Sequence, residues 1–210
     1  MTPWNFFQSH GPEILNATLD HLTLVVIAMA LAIAIAVPLG MLIVQHRRLR
    51  TIALGIASVF QTIPSLALFG FLIPIPFIGG IGRRTAIVAL VLYAQLPILR
   101  NTYVGLSGVD PAILEAAEAM GMTTTQILLR VRLPLGLSVI LAGIRTATVI
   151  TIGVATIAAA IGAGGLGTFI FRGVAMVSDA VILAGAIPAA LLAIFADVLL
   201  GQLERALKVV

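Results

Sequence analysis

Residues 22–44 have the sequence LTLVVIAMALAIAIAVPLGMLIV, an unbroken apolar run without a charged side chain. An α-helix needs about 20 apolar residues to cross the hydrocarbon core of a bilayer, so this run is long enough to span it. A transmembrane β-strand would instead alternate apolar and polar residues. The run therefore predicts a transmembrane helix, and it decides that the fold is helical.

The composition of the chain extends this prediction beyond one helix. Of the 210 residues, 60% are hydrophobic and 10% are charged, and the mean hydropathy is +1.18. A soluble domain has about 25% charged residues, so this chain has too little polar surface to cover a globule in water. Five spans are predicted, at about 22–44, 52–74, 85–104, 137–161 and 180–203. We expect an all-α integral membrane protein with a single transmembrane domain over residues 1–210.

The second span carries a polar patch, Gln61-Thr62-Ile63-Pro64-Ser65, in its middle. Proline kinks or splits a helix, and a split here would raise the number of spans to six. Backbone groups freed by a break are tolerated in a membrane only against protein or a watery cavity. Gln61, Thr62, Pro64 and Ser65 are therefore candidates for lining a path across the membrane; the alternative is a packing kink satisfied by neighbouring helices.

Several classes of function are disfavoured by the composition. The net charge is +4, but no basic stretch is interleaved with aromatic residues, so we expect no nucleic-acid partner. The chain has no cysteine, which excludes disulfides and cysteine-based metal or redox sites. It contains no G-x-x-x-x-G-K-[ST] phosphate-binding loop, so it is not expected to hydrolyse ATP itself. No metal or cofactor is predicted, and the N-terminus lacks the basic region of a cleavable signal peptide.

The distribution of basic residues predicts the orientation in the membrane. With the N-terminus outside, eight basic residues are cytoplasmic and three are external, as the positive-inside rule requires. The cytoplasmic set is Arg47, Arg48, Arg50, Arg100, Arg130, Arg132, Arg205 and Lys208, and the external set is Arg83, Arg84 and Arg172. We therefore expect the C-terminus in the cytoplasm, together with the polar segment 110–134 that joins the third and fourth spans.

Segment 110–134 has the signals of two short helices. Asp110 and Pro111 suit a helix start, and Gly121 suits a helix end. Thr123 and Gln126 have the spacing of a capping box that opens a second helix, and Pro134 follows where the chain is expected to turn back into the bilayer. The segment is therefore predicted to form a compact knob on the cytoplasmic side.

The surface of this knob indicates a protein partner. Ala116, Ala117 and Ala119 keep one side thin enough to enter a groove, and Glu115 and Glu118 offer negative charge to basic groups around it. The alternative is an amphipathic helix lying on the membrane surface, but such helices favour Lys and Arg rather than Glu. Docking to a partner is the favoured interpretation.

The spacing within segment 110–134 resembles the "EAA" coupling loop of ABC importer permeases. The pattern is Glu-Ala-Ala, three residues, Gly, nine residues, an aliphatic residue, one residue and Leu-Pro; the matching positions are Glu115, Ala116, Ala117, Gly121, Leu133 and Pro134. Val131 stands where the family usually has Ile, a conservative departure. Segments 60–68, 100–103, 143–147, 161–167 and 185–190 are similar to permeases that import glycine betaine, choline or carnitine.

The resemblance implies the MetI-like type I fold of these permeases and a multi-pass location in the bacterial cytoplasmic membrane. It implies a cytoplasmic ABC ATPase that docks on the coupling loop, an external solute-binding protein, and a second permease subunit, either a copy or a paralogue. Transport would proceed by alternating access. Alternatives are a permease for another small solute such as methionine, a membrane enzyme, which the scattered histidines disfavour, and a self-contained channel.

Two further features are candidates for the path or a gate. Gly162, Gly164, Gly165 and Gly167 fit G-x-G-x-x-G, but a dinucleotide site needs a preceding strand, and here an apolar span precedes the motif. These glycines are predicted to form a flexible or tightly packed connection at the external side, with gating and a plain tight loop equally open.

Arg145 and Asp197 are ionisable residues within the fourth and fifth spans. Charges inside a membrane are costly and usually face the bundle interior, where they can pair. Both lie in the cytoplasmic halves of their spans, so an interhelical salt bridge is the first prediction and a role in gating the second.

Overall fold

A computed structural model describes residues 3–207, and within them the regular secondary structure is entirely helical. In chain order the α-helices are α1 (Pro3–Ser9), α2 (Gly11–Gln45), α3 (Arg47–Thr62), α4 (Ser65–Leu72), α5 (Arg83–Ser107), α6 (Pro111–Ala119), α7 (Thr124–Ile127), α8 (Leu133–Ile157), α9 (Gly167–Ala175) and α10 (Asp179–Ala206). A π-helical turn, Leu128–Arg132, joins α7 to α8, and a 3₁₀ turn, Ala158–Ile161, extends α8.

Four helical segments of the described chain are long and apolar enough to cross a membrane. They are Gly11–Gln45, Arg83–Ser107, Thr124–Ile161 and Asp179–Ala206. The pair α3 and α4 forms a fifth only if both are taken as one broken span. The prediction of an all-α membrane fold with about five spans is confirmed.

The second predicted span is broken at Pro64. Helix α3 ends at Thr62, α4 starts at Ser65, and the two axes differ by 104°. Ile63 is extended, with φ −68° and ψ 128°, because a residue that precedes proline is disfavoured in the helical region. The pieces have 16 and 8 residues, so neither reaches the roughly 20 needed to span alone, and the six-span alternative is not supported.

The core of the bundle is built around α5, which packs between α2 and α8, while α10 packs on the other side of α8. Many of the buried positions are alanine, such as Ala28, Ala32, Ala36, Ala86 and Ala89. In a membrane the helices gain nothing by leaving the lipid, so close packing of small residues holds them together.

With α3 and α4 counted as one broken span, successive spans alternate in direction and define two ends of the bundle. We call the end that carries residues 110–134 the loop end; Gln45 of α2 and Ser107 of α5 also lie there. We call the opposite end, with residues 162–167, the glycine end. Arg83 and Asp20 are paired there at 2.5 Å, and Gly164 lies beside Asp20.

Helices α5 and α8 are in close contact where Gly105 faces Gly136. A Cβ added to Gly136 would lie 2.7 Å from the carbonyl oxygen of Gly105. We expect Gly136→Leu to destabilise the protein by about 1–3 kcal/mol or more, since overpacking forces the two backbones apart. Gly153→Leu is the matched control, because nothing lies within 4 Å of a Cβ at that position of α8. Thermal unfolding in detergent checks the difference, and equal melting temperatures would contradict this packing.

Candidate functional site: segment 110–134, the broken span and the ionic cluster

The first half of segment 110–134 folds as its sequence predicts. The Asp110 carboxylate accepts a hydrogen bond from the backbone N–H of Ala112 at 2.9 Å, and Pro111 occupies the first turn of α6. An N-cap satisfies one of the free N–H groups at a helix start, while proline lacks the N–H that would otherwise be unpaired. These two residues fix where α6 begins.

Gly121 ends α6 in the left-handed conformation, with φ +77°. Its N–H donates to the carbonyl of Glu118 at 2.9 Å, and the N–H of Met122 donates to the carbonyl of Ala117 at 3.1 Å. A Cβ at Gly121 would meet nothing within 4 Å. The requirement for glycine is therefore set by the backbone dihedral and not by space.

The capping box predicted at Thr123 is present. The Thr123 hydroxyl accepts from the N–H of Gln126 at 3.3 Å, and the Gln126 side-chain oxygen accepts from the N–H of Thr123 at 2.8 Å. With the cap at Asp110, this leaves both helix starts of the loop held by side chains. The knob is consequently defined by local hydrogen bonds rather than by burial in the bundle.

The expected turn at Pro134 is wrong. The second short helix continues through the π-helical turn into α8, so Thr124–Ile161 is one 38-residue helical segment. Proline cannot donate a hydrogen bond and its ring crowds the preceding turn, and a wider π turn relieves both problems without ending the helix. The Arg132 guanidinium donates to the carbonyl of Leu106 at 2.8 Å, which ties this segment to the end of α5.

The outer surface of the loop carries most of the predicted docking residues. Glu115, Ala116, Glu118 and Ala119 are exposed. Met120 is 75% exposed, and it is a large apolar side chain that the sequence analysis did not single out. Ala117 is an exception, since its side chain is buried. Leu133 is half-buried and Pro134 exposed.

The polar patch in the broken span leaves side chains without partners. Thr62 donates to the carbonyl of Val59 at 2.8 Å, and the Tyr93 hydroxyl donates to the carbonyl of Ile63, a backbone group freed by the break. The half-buried side chains of Gln61 and Ser65 make no hydrogen bond within residues 3–207. Neighbouring helix α5 thus satisfies one freed group, while the patch keeps polar groups available to a solute or water.

The glycines at the glycine end form a tight connection between α8 and α9. Gly162, Gly164 and Gly165 all have positive φ, between 74° and 83°. A Cβ at Gly165 would lie 3.1 Å from the Nδ1 atom of His21, and one at Gly167 would overlap the carbonyl of Thr156. The motif follows a helix and not a strand, which removes the basis for a dinucleotide site.

His21 is fully buried under this connection, and sequence reasoning did not give it a role. Its Nε2 atom lies 3.1 Å from the carbonyl oxygen of Ile152, so it bridges α2 and α8. Gly165, in the connection above, lies close to the same His21 side chain. The only hint in the sequence was a histidine placed next to the apolar run 22–44.

The predicted interhelical salt bridge is present and has a third member. Arg145 contacts Asp197 through two parallel hydrogen bonds, Nε to Oδ1 at 2.6 Å and Nη2 to Oδ2 at 2.9 Å. Its Nη1 atom also donates to Glu204 at 3.3 Å, a residue that the sequence analysis missed. Gly201 lies between the two acids in the sequence of α10. A Cβ at Gly201 would lie 3.0 Å from the Arg145 guanidinium, so the absence of a side chain there leaves room for it.

The spacing of these residues explains how the cluster forms. Asp197, Gly201 and Glu204 are four and three residues apart, so they share one face of α10. The signal that could have identified Glu204 was therefore its helical spacing from Asp197. The cluster lies in the loop-end half of the bundle and adds a charge-based link to the packing of α10 on α8.

The candidate residues lie in separate places and not around one pocket. The residues of segment 110–134 and the Arg145 cluster belong to the loop-end half, the polar patch lies at the break between α3 and α4, and the glycines lie at the opposite end. Such a spread differs from an enzyme site, where reacting groups converge.

The family model of the binding-protein-dependent transport system inner membrane component matches residues 28–209. The chain belongs to this family. It is 47% identical over 205 residues to the carnitine transport permease protein OpuCD of Listeria monocytogenes, covering 97% of this chain and 91% of the relative. It is 45% identical over 204 residues to the glycine betaine/carnitine/choline transport system permease protein OpuCD of Bacillus subtilis, covering 97% and 88%.

A solved structure supports the fold independently. The methionine ABC transporter MetNI in an inward-facing conformation superposes with a TM-score of 0.80, over 92% of this chain and 96% of that chain, at 23% identity. This likeness confirms the predicted MetI-like permease architecture. The protein is a membrane-embedded permease subunit of an ABC importer, a class in which other subunits supply the ATPase and the solute-binding protein.

Proposed function

We propose that the protein is the permease subunit of an ATP-driven importer for quaternary-ammonium osmoprotectants, namely glycine betaine, carnitine or choline. The observation that carries the substrate class is the near-half identity, over almost the full chain, to relatives named for carnitine, choline and glycine betaine transport. The likeness to the methionine importer, at 23% identity, concerns the fold alone.

The coupling loop is proposed to receive the force of the ATPase. Its exposed carboxylates, Glu115 and Glu118, face outward from a knob whose shape is held by two helix caps and by Gly121. The ATPase would therefore push on a rigid body and not on a flexible segment. Ala116 and Ala119 keep that body narrow, as expected for a knob that enters a groove.

The continuity of α7 and α8 supports a route for that force. A 38-residue helical segment is about 57 Å long at 1.5 Å per residue, enough to run from the loop to the glycine end. A displacement of the knob would move Arg145 and the 3₁₀ turn before Gly162 together. Alternating access would then follow from tilting of this helix against α2, α5 and α10.

Selectivity is proposed to lie mainly in the separate solute-binding protein. Cations of this class are best recognised by several aromatic rings, and the chain has one Trp and two Tyr. One of the two, Tyr93, already donates its hydroxyl to the backbone at the broken span. The polar groups of Gln61, Thr62 and Ser65 suit a weakly selective conduit better than a tight site.

The orientation with the N-terminus outside places the loop end in the cytoplasm. Because the chain has no cysteine, single cysteines report the topology directly. We expect Met120→Cys, in the loop, to react with a membrane-impermeant maleimide only after cells are opened. Ile81→Cys, 82% exposed near the glycine end, should react in intact cells. The reverse labelling pattern would contradict the proposed orientation.

An uptake experiment tests the proposed function. The permease, its ATPase and its solute-binding protein are expressed in a bacterium that lacks its own osmoprotectant importers, and growth at high osmolarity is measured with each solute. Growth with glycine betaine, carnitine or choline is expected. Uptake of methionine instead would favour the alternative substrate, and uptake without the ATPase would indicate a self-contained channel.

A further inference from the structure

Helices α2, α3 and α5 enclose a groove of about 360 Å³ on the outside of the bundle. Its walls are made of apolar side chains, which include Ile35, Leu39, Ile52, Ile56, Phe60 and Leu92. Ile52 and Ile56 are more than half exposed. The groove therefore opens toward the hydrocarbon of the bilayer.

The groove follows from the pattern of α3. Its lining residues on this helix are Leu49, Ile52, Ala53, Ile56, Ala57 and Phe60, which recur every three or four residues and so form one stripe along the helix. The two alanines are small and give the groove its depth. A stripe of larger residues would have closed it against α2 and α5.

The loop end of this groove is strongly basic. Arg47, Arg48 and Arg50 lie in the first turn of α3, immediately before the apolar stripe. Arg47 and Arg48 are exposed, and the ion pairs of the described chain, residues 3–207, all lie elsewhere. These positive charges are left without an acidic partner at the level where a helix leaves the membrane.

Arg50 connects the basic end to the groove. Its guanidinium donates to the Tyr103 hydroxyl and lies 5.0 Å from the centre of the Tyr103 ring. Tyr103 is one helical turn from Leu99, which lines the groove. The contact with Tyr103 thus holds the Arg50 guanidinium near the loop end of the groove.

The interior of the groove offers little to a water-soluble ligand. Among the residues that line the groove, the polar side chain is that of Gln95. The Gln95 amide donates to the carbonyl of Val91 in the same helix, at 3.2 Å. A ligand that fits must be apolar along its length and anionic at the end that meets the arginines. In a membrane that description fits a phospholipid with an acidic headgroup.

We propose that this groove binds an anionic phospholipid of the surrounding leaflet, with an acyl chain along the α3 stripe and the headgroup on Arg47, Arg48 and Arg50. The site adjoins the coupling loop, because Gln45, at the end of α2, shares a cleft with Glu118 and Thr124. A lipid bound here therefore supports the turn between α2 and α3 beside the point where the ATPase is proposed to dock.

Native mass spectrometry of the full permease, purified with its ATPase in a neutral detergent, tests the site. Dioleoylphosphatidylglycerol and dioleoylphosphatidylcholine have the same acyl chains and differ in headgroup charge. We expect Arg47→Gln with Arg48→Gln to weaken phosphatidylglycerol binding about 30-fold and to leave phosphatidylcholine unchanged. Ala53→Phe should reduce retention of both lipids, since it fills the groove.

Arg84→Gln is the matched control, because Arg84 is an exposed arginine at the glycine end. It should bind phosphatidylglycerol as the unmodified protein does, and co-purification of the ATPase shows that each variant is folded. Unchanged phosphatidylglycerol binding in the Arg47/Arg48 variant would overturn the proposal. So would crosslinking of two copies through Ile56→Cys, which would show that a second permease covers the groove.

Discussion

Gly121→Val is expected to abolish coupled transport, with uptake lowered by about tenfold or more. The backbone at Gly121 has φ +77°, a conformation that costs an L-residue about 1–2 kcal/mol and a β-branched residue more. The strain falls on the hydrogen bonds that close α6, so the loop would change shape where the ATPase is proposed to dock. Solute uptake and ATP hydrolysis by the assembled transporter measure the effect.

Gly121→Asn separates the effect of the positive φ angle at Gly121 from the effect of adding a side chain. Asparagine adopts the left-handed conformation more readily than other residues with a side chain, and space around the position is open. This variant should keep most of the uptake. If the valine and asparagine variants transport equally well, the shape of the loop does not matter and its assignment as the coupling element is wrong.

Glu115→Ala tests whether the negative charge of this loop contributes to coupling. Glu115 is exposed, so its removal should leave the permease folded while weakening the attraction to basic groups on the ATPase. We expect a severalfold loss of uptake that is reproduced by Glu115→Gln, since both substitutions remove the charge. Full uptake in both variants would exclude a role for this carboxylate.

The second large effect is expected when the Arg145 cluster is broken. Asp197→Asn leaves the guanidinium of Arg145 with Glu204 alone, at 3.3 Å, and removes the two-point contact that joins α8 to α10. Arg145 then keeps one long contact and loses two short charge-assisted hydrogen bonds within a spanning helix, where poorly satisfied charge is costly. The yield of folded transporter should therefore fall severalfold, and uptake should fall with it.

A triple variant distinguishes a structural salt bridge from a gate. Arg145→Met with Asp197→Leu and Glu204→Gln removes all three charges of the cluster, and replacing ion pairs in a low-dielectric environment by uncharged residues is often neutral or stabilising. If the pair only joins the helices, this variant should recover both folded yield and uptake. Recovery of yield without uptake would contradict the structural role and assign the charges to gating. Yield is measured by gel filtration and uptake with radiolabelled solute.

The parts of the fold that the sequence predicts correctly depend either on neighbouring residues or on charges that need a partner inside a membrane. The caps at Asp110 and Thr123 depend on neighbouring residues alone. Together with the polar residues around it, Pro64 disfavours a helical conformation at Ile63, whereas other prolines of the chain are accommodated inside helices, namely Pro38, Pro97 and Pro188. Arg145 and Asp197 are predicted to pair because both lie in spans, where an unpaired charge is costly. Each of these predictions followed from the chemistry of a few residues.

The parts that could not be predicted depend on how distant segments meet. Pro134 at the start of a separate helix and Pro134 in a helix that continues from α7 through a π-helical turn have the same local sequence, so packing of the segment against α5 decides between them. His21 bridges to Ile152, a contact across 131 positions that no local pattern indicates. The groove beside α3 exists only because α2, α3 and α5 lie together.

ATP-driven uptake in reconstituted vesicles tests the central claim most directly. The permease, its ATPase and its solute-binding protein are placed in one system, with radiolabelled glycine betaine, carnitine and choline as substrates and methionine as the comparison. We expect accumulation of at least one of the three that requires both ATP and the binding protein and that is lost with Gly121→Val. Equal flux without ATP, or transport of methionine alone, would contradict it.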